Sequence, residues 1–392
     1  MRPMQTHYRV SAGDTLPGAG AADRDPPCGA AAASACVPFE LGPRGQIFVC
    51  VTVNGALASA VLDSGATSSV LDAGFARRLD VTVQHGRTVG GLTGSIPTVG
   101  ASAVRVHFGG HSVNLPRADL LDLTAMGEIA RRRIDLVLGQ EFFNRAVLTI
   151  DFDRRELEVF DAVNWRPRPE ARPVLLSANR QGLYIANVNL DRVGAVEAVI
   201  DLGSDVPIYV SPTFVQDTGL FADRTVSTAA TAGVEGVDIG HIALLHRVGL
   251  GLHETTGVPA VAPKAWNCAS PVVIGLPLLR RYNLAFDVAH GRLWISPSSD
   301  GCAQPMARDR SGIHGVADIA AGRLRIVHVA EGSPAQTAGL AAGDEIVAID
   351  DVALDQAYFQ SGARAGFQPA GVVLSLRLAD GRETALKLCD YI

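Results

Sequence analysis

Long apolar runs are missing from this chain of 392 residues: no stretch reaches the roughly 18 consecutive apolar residues of a membrane-spanning helix. Basic clusters are missing too. The longest is Arg131-Arg132-Arg133, which reads as a solvated helix face, and 34 Lys+Arg stand against 40 Asp+Glu for a net charge of -6. That balance excludes nucleic acid as a main partner. Charged residues make up only 19% and hydrophobic ones 47%, a composition that excludes disorder, a collagen-like repeat and a coiled coil. The six cysteines contain no C-x-x-C pair, and His241, His246 and His253 fall at no usual ligand spacing, so no metal site is expected. Disulfides are open among these cysteines, while Cys50, inside an alternating strand pattern, reads as a buried free thiol. No G-x-S-x-G elbow, H-E-x-x-H helix, P-loop or strand-borne G-x-G-x-x-G occurs, which removes serine hydrolases, zincins and nucleotide binders from consideration.

What is plentiful is turn-forming residue, 41 Gly and 21 Pro, among abundant Val, Ala and Thr. This predicts many short strands in two or three domains. Helical patterns are few, the strongest at Ala73 to Leu79 and Pro334 to Ala338.

The chain also resembles itself. Around Asp63 a strand, an Asn54-Gly55 hairpin signal and a second strand lead into Asp-Ser-Gly-Ala-Thr; around Asp201 a similar apolar run leads into Asp-Leu-Gly-Ser. Later, Val-Leu-Gly139 precedes Ile-Asp151-Phe-Asp, and Val-Ile-Gly275 precedes Phe-Asp287-Val. The first Asp and the Gly are 76 residues apart in one copy and 74 in the other, and the second Asp follows the Gly by twelve residues in both. Four landmarks in one order at nearly one spacing point to an internal duplication.

One Asp before Ser-Gly is an ordinary turn. Two such loops in duplicated halves are a different matter, because a pseudo-twofold axis brings the carboxylates together, and like charges at that range share a proton. Such a pair can activate a water with its ionised member and hydrogen-bond a carbonyl with its protonated one. That chemistry needs no metal, cofactor or nucleophilic side chain. Gly65 and Gly203, lacking Cβ atoms, would let the loops approach each other.

Asp63-Ser64-Gly65-Ala66-Thr67 resembles the active-site motif of the retropepsin-like aspartic proteases, and the blocks around Gly139 and Gly275 resemble that family's psi-loop signature. The resemblance, over about Val37 to Pro297, implies a mainly β, bilobal fold of two homologous barrel-like lobes in one chain, monomeric because the lobes are fused. It implies Asp63 and Asp201 as the catalytic pair on a protein or peptide substrate. Flaps are then expected at Gly90-Gly91-Leu92-Thr93-Gly94 and around Gly233-Val234-Glu235-Gly236. The second motif departs from the family's pattern: Leu202 stands where a hydroxyl would clamp the opposite loop, although Ser64 keeps its own. Ser204 is placed to bond the outer oxygen of Asp201, and Asp205 adds a third carboxylate nearby, either solvated or facing the pair.

From Leu324 the elements Gly-Ser-Pro, Ala-Gly-Leu and Gly-Asp-Glu-Ile resemble a PDZ domain of the bacterial, protease-associated kind, over about Ser311 to Leu388. This implies capture of an extended C-terminal peptide, with Gly312-Ile313-His314-Gly315 as the counterpart of the carboxylate-binding loop. The expected organisation is a flexible segment 1–36, lobe 1 at 37–165, a linker 166–173, lobe 2 at 174–297, a linker 298–310 and the PDZ domain at 311–392. The first 38 residues lack a signal peptide's apolar core. The even cysteine count and the family's extracytoplasmic use nonetheless favour a periplasmic or similar compartment. The expected activity is endopeptidase; the alternative, prompted by Leu202, is a protease-like scaffold that grips peptides without cleaving them.

Overall fold

The computed structural model describes residues 36–108, 110–233, 236–299, 301 and 306–392. Of the flap residues expected around Gly233, Val234 and Glu235 lie outside these, as does all of the expected N-terminal segment except Cys36.

The chain is mainly β, as its Gly-punctuated alternating pattern predicts. In the first half, Ile47–Val53 and Ala56–Leu62 form a hairpin whose tip residues Asn54 and Gly55 have φ of 49° and 87°, a turn that matches the twist of its flanking strands. Ala56–Leu62 runs parallel to Leu136–Leu138, which pairs antiparallel with Val70–Asp72. The second half repeats this arrangement: Tyr184–Leu190 pairs with Gly194–Asp201, which runs parallel to Val272–Gly275, itself antiparallel to Ile208–Val210. Both Asp loops therefore leave the end of a central strand whose neighbour ends in the Gly139 or Gly275 turn.

The halves are joined through Val147–Asp151 and Tyr282–Asp287, antiparallel with Ile150 opposite Leu284. One apolar cluster runs through both halves, from Phe39 through Leu202 to Ile295, while a separate one fills the C-terminal unit. In that unit Ile313–Asp318, Arg323–Val329, Glu345–Ile349, Val373–Leu378 and Glu383–Lys387 follow one another across a sheet.

Several expectations need correction. The first helix covers only Ala73–Ala76, capped by Asp72, whose carboxylate accepts from Phe75 N at 2.7 Å. Cys50 is disulfide-bonded rather than a free thiol. Arg131, Arg132 and Arg133 are no solvated helix face. Arg131 ends the helix Thr124–Ala130 in a left-handed conformation with its guanidinium 4.9 Å from the Phe359 ring centre. Arg132 lies over Phe48, and Arg133 pairs with Asp135. Of the expected carboxylate-loop residues, only Gly312 (φ 75°) is in a loop; Ile313, His314 and Gly315 begin a strand. Among the described residues, no helix is long and apolar enough to cross a membrane.

Candidate active site

Asp63 and Asp201 meet at the junction of the two halves. Gly65 N and Ala66 N donate to Asp63 Oδ1 at 2.7 and 3.1 Å, and Gly203 N donates to Asp201 Oδ1 at 2.8 Å. Each Gly lies under the opposite carboxylate: a Cβ on Gly65 would stand 2.6 Å from Asp201 Cγ, and one on Gly203 2.4 Å from Asp63 Cγ. The carboxyl groups are hydrogen-bonded to each other. Burial raises the pKa of both, and the charge of Asp63 raises Asp201 further, well above the usual carboxylate range. Two backbone donors and the Asp201 side chain favour the ionised form of Asp63 and offset part of the effect of its burial.

Ser64, fully buried, clamps the halves. Its hydroxyl donates to Ile200 O at 2.7 Å and accepts from Leu202 N at 3.0 Å, so the loop carrying Leu202 is held through its backbone. Leu202 itself is completely buried in the main apolar cluster. Restoring a hydroxyl there is therefore expected to harm the protein: Leu202→Thr leaves a void and an unpaired hydroxyl, destabilising by about 2–4 kcal/mol. Chemical denaturation of the two proteins measures this, and equal stability would contradict it.

The turns below close the site. A Cβ on Gly139 would fall 2.6 Å from Ser68 C, and one on Gly275 2.0 Å from Val206 O, so both turns require the bare backbone. Ser204 meets the Asp201 carboxyl through its backbone and not through the expected hydroxyl. Its hydroxyl is engaged with Val206 O and N at 3.2 and 3.3 Å, bracing the turn near Gly275. Thr67 is exposed, near Gly182 of the second half. Asp205 turns away to pair with Arg44 of the first half at 2.9 Å.

The residues expected to form the first flap end the hairpin of Thr82–Gly90 and Ser95–Ser102, with Gly91 N donating to Gly94 O at its tip. A contact that the sequence gave no sign of holds it across the cleft. Asn267 N donates to Leu92 O at 2.8 Å, and Asn267 Nδ2 donates to Gly91 O and Gly94 O at 3.2 and 2.6 Å. Leu92 packs into an apolar cluster of the second half with Tyr209, Trp266 and Cys268. Burial raises the pKa of the free Cys268 thiol. Asn267→Ala removes two of the three hydrogen bonds, so alkylation of Cys268, located by mass spectrometry, is expected to accelerate several-fold. An unchanged rate would show that Asn267 does not govern the flap. At the flap's other end Arg87 and Arg117 bind the buried Asp119, which also accepts from Ser68 Oγ at 2.8 Å. Burial works against the Asp119 charge, yet these donors hold its pKa below the usual range. Neither Arg87 nor Asp119 sits in a recognisable motif. Of the residues expected to form a second flap, Gly233 and Gly236 stand opposite each other in the pairing of Val226–Gly233 with Gly236–Leu250.

The C-terminal unit docks on that second hairpin. Thr228 Oγ1 lies 2.8 Å from His328 Nε2 and accepts from Glu331 N at 3.1 Å, while Ser227 Oγ donates to Glu331 O. The expected Gly312 loop sits at its edge, with Gly312 N donating to Asp309 Oδ2 at 2.6 Å.

Residues 49–142 match the aspartyl protease family, and residues 325–358 match the PDZ domain. No curated protein matches the chain. The chain thus carries an aspartyl protease domain, whose matched residues include Asp63, Gly90 to Gly94 and Gly139, and a PDZ domain near its C-terminus.

Proposed function

We propose that this protein is an aspartic endopeptidase in which residues 37–165 and 174–297 act as two lobes of one active site. The observation that carries the reading is the mutual hydrogen bond of the Asp63 and Asp201 carboxyls, each held by backbone N–H groups of its own loop. The ionised Asp63 takes a proton from a water placed between the carboxyls, and the water oxygen bonds to the peptide carbonyl carbon. Protonated Asp201 hydrogen-bonds the carbonyl oxygen as it gains charge and gives it its proton, leaving a gem-diol with Asp63 protonated and Asp201 ionised. Collapse of the gem-diol breaks the C–N bond while Asp63 gives its proton to the leaving amine and Asp201 takes one from the diol, so the pair returns to its starting state and no cofactor enters. An extended substrate would lie between the pair and the Gly90 to Gly94 flap, bonded through its backbone.

The scaffold alternative drew its support from Leu202. The Ser64 clamp on Leu202 N weakens that support, because the second loop is held without a hydroxyl of its own. Cleavage of a peptide library from acid to neutral pH by wild type, Asp63→Asn and Asp201→Asn tests the reading. Activity is expected from the wild type alone. Full activity in either variant would overturn the shared-proton mechanism.

A further inference from the structure

The two halves pair their strands in the same order, so each is a control for the other. Val70 lies opposite Asp119 as Ile208 lies opposite Ala260, and Arg87 lies opposite Thr98 as Thr228 lies opposite His241. Counted from each Asp, Ser68 occupies the place of Val206. The second half therefore fills these places with Val206, Thr228 and Ala260, and the place of Arg117 with Val258. Ala260 and Val258 are completely buried in the main apolar cluster, and Val206 packs against the smaller one that contains Tyr209. The sheet closes there without charge.

The first half puts charge in the same places. Asp119 is completely buried, its Oδ1 accepting from Arg87 Nε and Arg117 Nε at 2.9 and 3.1 Å and its Oδ2 from Ser68 Oγ at 2.8 Å. Arg87 Nη2 donates both to Asp119 Oδ2 and to Ser68 Oγ, so one guanidinium from the hairpin strand grips the turn after Asp63 directly and through the carboxylate. A buried ion pair seldom adds stability over apolar residues of similar volume, and the second half shows that uncharged residues suffice. What the charges connect is the better account of them. Next to Ser68, Ser69 donates from N and Oγ to Glu141 at 3.0 and 2.9 Å, and its Oγ accepts from Gly139 N at 3.1 Å, so the same turn is braced from below. The second hairpin is tied elsewhere, through Thr228 to His328 and Glu331 of the PDZ domain.

We propose that Arg87 is a positioning residue: through Asp119 and Ser68 it transmits the placement of the Thr82–Gly90 hairpin to the Asp63 loop, so that closure of this hairpin over a substrate aligns the carboxyl with the attacking water. Control of the pair is then one-sided, because the second hairpin answers to the PDZ domain. The consequence for turnover rests on the endopeptidase reading; the tie between hairpin and loop does not.

The test begins with full-length Arg87→Gln, in which Asp119 keeps its bonds from Arg117 and Ser68 and the fold is retained, as circular dichroism would verify. On the best-cleaved member of the peptide library, kcat is expected to fall about tenfold with KM unchanged, because a loop displaced by a fraction of an ångström loses turnover and not substrate grip. Ser68→Ala should do the same, and the double variant should be no slower than either single one, since both cut one line. Hydrogen exchange across residues 63–69, read by mass spectrometry, should be several-fold faster in all three. Wild-type kcat in Arg87→Gln, a change confined to KM, or losses that multiply in the double variant would each overturn the proposal. If the wild type cleaves no peptide, exchange decides alone: faster exchange upholds the tie while overturning the peptidase reading, and unchanged exchange overturns the tie.

Discussion

Asp63→Asn is expected to reduce kcat/KM for peptide cleavage by about a thousandfold, as loss of a general base does, with the strand framework unchanged. Asp63 accepts from Gly65 N, Ala66 N and the Asp201 carboxyl, an arrangement suited to an anion. An amide there offers no basic oxygen to the water and turns its NH₂ against one of these donors. Asp201→Asn removes the proton donor to the carbonyl and should lose activity on the same scale. A stopped assay on purified variants, with circular dichroism to verify folding, measures both. If either variant retained more than a tenth of wild-type activity, the pair could not be the catalytic centre.

The same pair has a consequence for stability that runs opposite to activity. A carboxyl whose folded pKa is raised contributes stability below its unfolded pKa of about 3.9 and loses it as pH rises through the folded value. Both carboxyls are shifted upward, Asp201 more strongly. At neutral pH the wild type therefore bears the cost of two buried carboxyls whose ionisation is disfavoured, and Asp201→Asn lacks the larger share of it. The variant should melt higher than wild type at neutral pH, by about 2–4 °C for each kcal/mol relieved, and the difference should vanish in acid. A lower Tm at neutral pH would mean that the carboxyls do not repel.

What could be read from the sequence was what local chemistry encodes. The Asn54-Gly55 turn, the Ser333-Pro334 helix start and the Asp-x-Gly loops each carry their geometry in two or three adjacent residues. The paired Asp and Gly landmarks also conveyed a long-range fact, because repetition at fixed spacing substitutes for a contact map. Contacts between distant segments were not legible. Nothing about Asn267 marks it as the residue that holds a flap 173 to 176 positions away in the chain. The Arg44–Asp205 pair joins two ordinary loop residues from different lobes. Arg131 was misread for a related reason: a triplet of arginines looks solvated until the PDZ domain supplies the Phe359 ring. Cys50 was misread because burial and alternation describe a strand thiol equally well whether or not it is oxidised.

Gly203→Ala should be nearly as damaging to activity as loss of a carboxyl, although it adds one methyl group and removes no functional atom. The new Cβ would stand 2.4 Å from Asp63 Cγ and Oδ2 and 2.6 Å from Oδ1, a contact that neither a rotamer change nor a small loop shift can relieve. Asp63 is fixed by its bonds to Gly65 N and Ala66 N, and the Gly203 loop by the Ser64 clamp at Leu202, so the overlap must separate the two loops. Separation breaks the hydrogen bond between the carboxyls and with it the site for the water; a misplacement of about 1 Å already reduces turnover about a hundredfold. Gly65→Ala meets Asp201 Cγ and Oδ1 at 2.6 Å and should behave alike. A change at the flap glycine Gly236 provides the control: a Cβ there meets nothing within 4 Å, and its φ of 109° confines the penalty of Gly236→Ala to local backbone strain. Cleavage rates and Tm of the three variants separate these effects. Loss of activity in Gly203→Ala and Gly65→Ala, with near-normal rates in Gly236→Ala, is the expected pattern. Wild-type rates in Gly203→Ala would mean that the loops do not approach as closely as the shared proton requires.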